Sequence, residues 1–477
     1  MTAKKSVLMC CYYFPPFARS GGMRSMQFGK RLAAMGWDVE VLTADPGLYS
    51  SSVDPASTAK GYEGLDWAKV THVPCPREDG DEPSRWRDFL ATLWDPWRFE
   101  GRVIRRWVRE ATKVAEAIVR KRPETVLYIG MQPYIAARIG LDLQRKLGTR
   151  WLADLADPWT LDEVCQFSSR LHFERQQGIF RRVLRNADSV IGNTPDASAA
   201  LAAFEPRVAE RLATITFGYD RDNLPPPQPP PALSAATPFQ LVHLGAIEVT
   251  GAASNRKNPL RYRRYTTDIA ARGTHYLLAA LDLVRQRRPE LFAKLRIRVV
   301  STRTDNEFAA VRDRGMAAQF EWTGMLANAA ALAEVGRAHA ALVLQQGAPA
   351  GHRLRTVRAK SYEYMALGKP VLGCVPEGDG ADFLARYGRG ILFNPSNAEA
   401  IASGLIDLHD RYGRLPPRRL VLPAGSGPAR LSLTLDLRRH RQWYDLELTD
   451  ALQPAWHRRL AGRVENGHDG VSDIGLA

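Results

Sequence analysis

At 477 residues the chain is longer than one ordinary hydrophobic core organises, so two domains with a tail are expected. Its 45% hydrophobic and 25% charged residues exclude a disordered or fibrous chain and are those of a soluble globular protein. A formal charge of +15, from 66 basic and 51 acidic residues, calls for anionic company: nucleic acid, an acidic membrane or phosphorylated small molecules.

No run of eighteen apolar residues is present, so no transmembrane helix is expected. Met1-Thr-Ala-Lys-Lys leads straight into a strand rather than a signal peptide. That strand is the buried run Ser6-Val-Leu-Met-Cys-Cys11, ended by Tyr12-Tyr-Phe-Pro15-Pro16. Cys10 and Cys11, with Cys75, Cys165 and Cys374, fit neither a disulfide frame nor zinc spacing and read as buried thiols of a reducing cytosol. Ala18-Arg-Ser-Gly21-Gly22-Met-Arg24-Ser then opens a helical pattern to Met35-Gly36, before a strand from Trp37 to Thr43. Gly21 and Gly22, in a loop at a helix N-terminus, let backbone N–H groups approach a phosphate closely. The run is not the dinucleotide-binding glycine fingerprint, and a plain turn is the other reading.

Between Trp86 and Arg120 the pattern is helical and dense in Trp and Arg: Trp86, Trp94, Trp97 and Trp107, with Arg102, Arg105, Arg106 and Arg109. An aromatic and basic amphipathic face suits an anionic bilayer surface; a helix packed on its domain with a solvated basic face is equally consistent. Thr125 to Gly130 is a strand, Met131-Gln-Pro133-Tyr starts a helix to about Leu147, and Trp151-Leu-Ala-Asp154-Leu-Ala-Asp157-Pro158-Trp159 is strand then turn. Asp157 falls beyond the carboxyl end of a parallel strand, where α/β proteins bind ligands, and Asp before Pro is also a turn former. Asp188 to Pro195 and Ala213 to Asp220 complete this half, and Asn223-Leu-Pro225-Pro-Pro-Gln-Pro-Pro-Pro231 is a stiff linker.

In the second half Phe239-Gln-Leu-Val-His-Leu-Gly245 is a strand ending in glycine, and residues 249–271 form a basic insertion with Arg256, Lys257, Arg261, Arg263 and Arg264. Thr274 to Arg287 is helical, Leu295 to Ser301 a strand, and Phe320-Glu-Trp-Thr-Gly324-Met325-Leu326 and Ala340 to Gln345 follow. Then comes Lys360-Ser-Tyr-Glu363-Tyr-Met-Ala-Leu-Gly368-Lys369-Pro370-Val-Leu-Gly373: a short helix stopped at Gly368 and an apolar run for a buried strand. Lys360 and Glu363, three apart, share a helix face. A cation and an acid together at a sheet edge suit a ligand with phosphate and hydroxyls; a surface ion pair is the duller account.

That last stretch resembles the donor-site signature of the family-4 glycosyltransferases of GT-B fold, and the resemblance spans about residues 6 to 410. It implies an α/β protein of two Rossmann-like domains facing each other across a cleft, with a C-terminal tail. The expected divisions are 1–224 for the acceptor-binding domain, 225–237 for the linker, 238–414 for the nucleotide-sugar-binding domain, and 415–477 for a partly helical tail. Within the tail, Leu435 to Leu452 is expected as a helix returning to the first domain. By resemblance Glu363 grips the donor ribose, Lys360 and Arg272 (the latter in Arg272-Gly273) contact the pyrophosphate, and Gly21, Gly22 and Gly245 approach it through backbone. Met325 and Leu326 flank the nucleobase, and Asp157, in an Asp-Pro-Trp variant, faces the acceptor. Asp157, Arg272 and Lys360 are the catalytic candidates; the resemblance implies transfer without a metal, and no cofactor beyond the donor substrate is expected.

Two departures stand out. Ala246 occupies the place of a pyrophosphate arginine, and Arg355 stands eight before Glu363, where many relatives carry a glutamate that contacts the sugar. The loop from Gly347 to Arg355 is therefore expected to meet the sugar differently. The reading is a retaining hexosyltransferase acting from a nucleotide-diphosphate sugar on a glycan or lipid-linked acceptor, in bacterial surface polysaccharide assembly. It would be cytoplasmic, or peripheral on the inner membrane face. A catalytically inactive GT-B relative serving as a glycan- or nucleotide-binding scaffold is the alternative. A nucleic-acid binder rests on charge alone, with no zinc-finger, RNA-recognition or helix-turn-helix pattern behind it.

Overall fold

The computed structural model describes residues 5–15, 20–45, 65–74, 97, 100–226, 231–234, 237–247, 261–387, 390–412, 443–449 and 457–463. β1 (Ser6–Cys10) is buried along its whole length, as a strand covered on both faces by helices must be. It sits at the centre of a sheet with β2 (Asp38–Ala44), β3 (Lys69–Val73), β4 (Val126–Gly130) and β5 (Trp151–Leu155). β6 (Gln166–Phe167) stands apart, and β7 (Ser189–Gly192) and β8 (Leu212–Thr214) complete the sheet. The order is β3-β2-β1-β4-β5-β7-β8, parallel throughout.

Among the described residues five α-helices cover it: α1 (Ser20–Ala34), α2 (Arg102–Lys121), α3 (Ala137–Leu147), α4 (Arg170–Asn186) and α5 (Pro195–Phe204). Side chains cap two of them: Ser169 accepts from the His172 amide, and Thr194 from that of Ala197 with Pro195 in the first turn. The buried residues of α2 are Trp107, Val108, Ala111, Ala115 and Val119, one stripe at helical spacing. Trp107 is fully buried and meets Tyr12 edge-on at 5.0 Å, and Trp97 packs against the same core. The aromatic half of the expected membrane-facing surface is thus turned inward at Trp97 and Trp107; Trp86 and Trp94 lie outside the described residues.

The second domain repeats the plan with β9 (Phe239–Leu244), β11 (Leu295–Val300), β12 (Phe320–Trp322), β13 (Ala340–Leu344), β14 (Val371–Cys374) and β15 (Gly390–Phe393). Their order is β12-β11-β9-β13-β14-β15, again all parallel. The helices are α6 (Thr274–Arg287), α7 (Pro289–Lys294), α8 (Asp305–Asp313) and α9 (Asn328–Arg337), then α10 (Ala359–Ala366), α11 (Asp379–Tyr387) and α12 (Ala398–Tyr412). At the end of α12 the Tyr412 hydroxyl donates to the Pro231 carbonyl at 3.0 Å, tying the domain to its linker. β10 (Tyr262–Arg263), from the end of the basic insertion, pairs antiparallel with β6 and so joins the two domains.

The tail differs from expectation. The part of Leu435 to Leu452 that is described, β16 (Trp443–Thr449), is a strand hydrogen-bonded to β17 (His457–Arg463). Tyr444, Leu446 and Leu448 alternate with Asp445, Glu447 and Thr449, which is the period of a strand and not of a helix. Among the described residues no helix is long and apolar enough to cross a membrane.

Candidate active site

Each sheet reverses its winding once, between β1 and β4 in the first domain and between β9 and β13 in the second. Ligands of open α/β sheets bind at the carboxyl edge of such a point. In the second domain that edge carries Gly245, whose φ of +84° suits only glycine and whose N–H donates to the Val300 carbonyl at 3.0 Å. The Lys360 ammonium comes within 3.8 Å of where a Gly245 Cβ would lie.

Lys360 is held by His243, one residue before the end of β9. The imidazole Nδ1–H donates to the Leu342 carbonyl at 2.9 Å, which leaves Nε2 to accept from Lys360 Nζ at 2.9 Å. Burial, then the Lys360 charge, push the His243 pKa well below its ordinary value, so the ring is neutral and the tautomer fixed. The Leu244 amide donates to the Tyr364 hydroxyl at 2.8 Å, pinning α10 to the same strand. Glu363 is half-buried on α10, its pKa raised by burial and lowered in part by Asn328 and Lys360. Asn328 Nδ2 donates to it at 3.4 Å. Asn328 opens α9 directly behind Gly324, Met325 and Leu326, so this loop lies beside Glu363. Leu326 packs into the apolar cluster of Val242 and Tyr364, while Met325 is exposed. Arg272 ends the short helical turn Ile269–Arg272 just before Gly273, the cap of α6. That turn is fixed to the donor-side loop by paired backbone hydrogen bonds between Asp268 and Gly347 at 2.9 and 3.0 Å.

On the first domain, Gly21 and Gly22 lie inside the first turn of α1 rather than in a loop before it. The correction keeps their N–H groups at the positive end of the helix, where anions are favoured. A Cβ on Gly21 would fall 2.3 Å from Gln132 Oε1, so the glycine leaves room for Gln132. Gln132 Nε2 in turn donates to Asp157 Oδ2 at 2.6 Å. Burial raises the Asp157 pKa, opposed by Arg358 and by the Gln132 hydrogen bond. Asp162, nearby, is pushed up to about 8 by burial and then by the Asp157 charge. Trp159 between them has a φ of +46°, a strained backbone for a bulky residue, held by stacking on Tyr134 at 5.0 Å and by Gln176 at 3.0 Å from its Nε1. His172 is turned to Ser168 and Gln176 and braces this loop from behind.

Arg24, although on the glycine-bearing helix, is a buried structural group. It donates to Asp154 at 2.8 and 2.9 Å and to the Ile215 carbonyl at 2.8 Å, and Tyr128 also donates to Asp154. Of the described insertion arginines, Arg261 donates to Gln166 at 3.5 Å, Arg263 lies in β10, and Arg264 sits over the Tyr265 ring at 5.3 Å. Arg256 and Lys257 lie outside the described residues. Arg358, at the start of α10, was not singled out in the sequence. Its charge reaches both His243 of the second domain and Asp157 and Asp162 of the first, and Gln346 orients it at 2.7 Å. The signal was there in Arg358-Ala-Lys360, a second cation two residues before the signature lysine.

The loop from Gly347 to Arg355 spans the cleft. Arg355 donates to the buried Glu163 at 2.9 Å and to the Leu161 carbonyl at 3.1 Å, and His352 meets the same Glu163 oxygen at 3.0 Å. Thr194 donates to the Arg355 carbonyl at 3.0 Å, and Arg353 pairs with Asp196 at 2.9 Å. Arg355 is thus committed to a domain-to-domain ion pair with Glu163. Among the described residues no group of three or more His, Cys, Asp or Glu is placed to hold a metal ion.

Residues 21–218 match the family described as "Glycosyl transferase 4-like domain", and residues 264–411 that described as "Glycosyl transferases group 1". No curated protein matches the chain. Similar solved structures include sucrose-phosphate synthase from Thermosynechococcus elongatus, at 17% identity over 86% of this chain and 92% of that one, with a TM-score of 0.56. WaaG, a glycosyltransferase involved in lipopolysaccharide biosynthesis, is 14% identical over 86% and 93%, with a TM-score of 0.52. A glycosyltransferase from Rickettsia africae is 11% identical over 86% and 89%, with a TM-score of 0.51. At such identities the likeness is one of fold, two facing parallel-sheet domains of the GT-B type.

Proposed function

The chain belongs to the group 1 glycosyltransferases, and from that premise we propose that it moves a hexose from a nucleotide-diphosphate sugar to a glycan or lipid-linked acceptor, retaining the anomeric configuration. The observation that carries the reading is the meeting of Lys360, oriented by neutral His243, with Glu363 and left-handed Gly245 at the winding reversal of the second sheet. Glu363 accepts from the ribose hydroxyls, and Met325 and Leu326 border the base. Lys360 and Arg272 face the pyrophosphate, whose charge rises as the glycosyl–oxygen bond breaks. Fixed cations stabilise that charge without reorganising at the moment of reaction. Gly21 and Gly22 add the positive end of α1 from across the cleft.

Arg358 is the residue best placed to stand in for the arginine that Ala246 lacks, since its charge acts on both walls of the cleft. Asp157, held by Gln132, orients the acceptor hydroxyl. The reading calls on these side chains for charge and assigns no metal or further cofactor. Surface polysaccharide or glycoconjugate assembly in a bacterium is the setting it fits. The test is release of nucleoside diphosphate from a panel of UDP-, GDP-, dTDP- and ADP-sugars, with Glu363→Ala as control. Release by the native protein and not by the variant supports transfer. Nucleotide binding without release from any donor, with or without glycan acceptors, would leave an inactive nucleotide-binding relative in its place.

A further inference from the structure

The two-stranded ribbon that joins the domains leaves its cations unmatched. β10 carries Arg263 and is bracketed by Arg261 and Arg264. Among the described residues none of the three pairs with a carboxylate. Arg261 donates to Gln166 Oε1 at a long 3.5 Å, Arg263 stands opposite Gln166 in the strand register, and Arg264 lies over the Tyr265 ring at 5.3 Å. A neutral amide and an aromatic face leave all three charges standing. With a period of two, Arg261 and Arg263 share one side of the strand, while Tyr262 turns to the other and meets Phe173 at 4.8 Å. The acids that flank β6 in the chain are committed elsewhere. Glu163 takes Arg355 and His352, and Glu174 takes Arg170 at 3.1 Å. Asp162 accepts from the Val164 amide at 2.8 Å, and burial, then the Asp157 charge, push its carboxyl up to about 8, so it is largely uncharged at neutral pH.

Apolar surface flanks the same ribbon. Val164, two residues before β6, is 41% exposed, and Leu171, in the first turn of α4, is 47% exposed. The ring side chains between them do not join that surface: Phe167 and Phe173 are buried against each other at 4.9 Å. The ribbon also adjoins the acceptor side of the cleft. Two residues past β10, the Tyr265 ring meets that of His352 at 4.3 Å, and His352 holds Glu163. Gln166 follows Glu163 by at most about 11 Å of chain. The Glu163 charge in turn reaches Asp157 and Asp162.

We infer that this ribbon binds the phosphate of a lipid-linked acceptor: Arg261 and Arg263 grip the phosphate, Arg264 adds charge beside them, and Val164 and Leu171 meet the first part of the lipid. Guanidinium groups hold phosphate through paired hydrogen bonds, which suits three arginines without acidic partners. A purely polar glycan phosphate has no use for two exposed apolar side chains beside its charge. A bilayer surface needs a broader apolar face than two side chains, with rings outside rather than buried. The role of the lipid phosphate as acceptor rests on the transferase reading; the binding itself does not.

The test is calorimetry of the full-length protein with farnesyl diphosphate, a soluble lipid phosphate, alongside inorganic pyrophosphate and farnesol. Arg261→Gln with Arg263→Gln should weaken farnesyl diphosphate by about tenfold or more. Lys294→Gln with Arg312→Gln, which removes two exposed cations of the second domain, should weaken it by roughly twofold or less. Val164→Ser with Leu171→Ser should weaken farnesyl diphosphate and leave pyrophosphate unchanged. Equal weakening by the two cation pairs would mean diffuse attraction to a basic protein and overturn the proposal. So would farnesyl diphosphate binding that the ribbon pair leaves intact and Lys360→Ala abolishes, since the diphosphate then sits in the donor site. Phosphatidylglycerol vesicles held through the ribbon residues, with farnesyl diphosphate not bound, would overturn it in favour of a membrane contact. Nucleotide-induced thermal shifts of the native protein separate the two readings. Without any such shift the transferase reading falls and the calorimetric result stands; with one, a failed calorimetric result counts against the ribbon alone.

Discussion

Replacing Arg355 by alanine should loosen the two domains from each other. Glu163 is 3% exposed and Arg355 19%, so their 2.9 Å contact is largely desolvated. A hydrogen bond to such a charged partner contributes about 1.5–3 kcal/mol. His352 remains 3.0 Å from the same oxygen and compensates part of the loss, which leaves a cost of about 2 kcal/mol. That is roughly a thirtyfold shift towards separated domains. Hydrogen exchange should register it as lost protection in β6 and β10, the ribbon that pairs across the domain boundary only while the domains are docked. A double-mutant cycle with Glu163→Gln should give a coupling of about 1–2 kcal/mol. Unchanged protection of β6 and β10 in Arg355→Ala, or additivity in the cycle, would refute the ion pair as the clasp.

Glu363→Gln should act with opposite signs on the free and the liganded protein. Burial raises the folded-state pKa of Glu363, so its contribution to stability is full below the unfolded pKa and falls as pH rises through the folded one. The amide should therefore stabilise the ligand-free protein at neutral pH while weakening nucleotide binding, as denaturant melts with and without nucleotide would reveal. Asp162→Asn should flatten a decline in stability between about pH 4 and about 8, since the carboxyl is pushed up to about 8 in the fold; an unaltered pH profile would contradict that. His243→Phe removes the acceptor that orients Lys360 and should weaken nucleotide affinity about tenfold by calorimetry, one charged hydrogen bond. Gly21→Ala should leave the melting temperature nearly unchanged, because the atom it meets is the end of a flexible glutamine. By moving Gln132 off Asp157 it should lower kcat/KM for the acceptor by about tenfold.

Much of the scaffold was legible because it is written in local pattern. The span expected for α6, Thr274 to Arg287, is the observed one, and α10 stops where Gly368 turns left-handed at a φ of +63°. The reversal points follow from strand order, and with them the place of Lys360, Glu363 and Gly245. What stayed hidden is non-local. Arg355 and Glu163 are 192 residues apart, Arg24 and Asp154 are 130 apart, and β6 and β10 are two residues each. No periodicity announces such contacts, since docking of the domains creates them. Two stretches carried a pattern that outweighs their composition. The stripe of Trp107, Val108, Ala111, Ala115 and Val119 already marked a core face, and the alternation of Tyr444, Leu446 and Leu448 already marked a strand.

The most direct test of a nucleotide-sugar site at Lys360 and Glu363 is a thermal-shift screen of the purified protein with UDP, GDP, dTDP, ADP and CMP. A ligand at a hundred times its dissociation constant stabilises the folded state by about 2.7 kcal/mol, which for domains of this size is roughly 5–10 °C. The account predicts a clear shift with one of the diphosphates and its loss in Glu363→Ala. No shift with any nucleotide, or a shift that survives in Glu363→Ala, would contradict it.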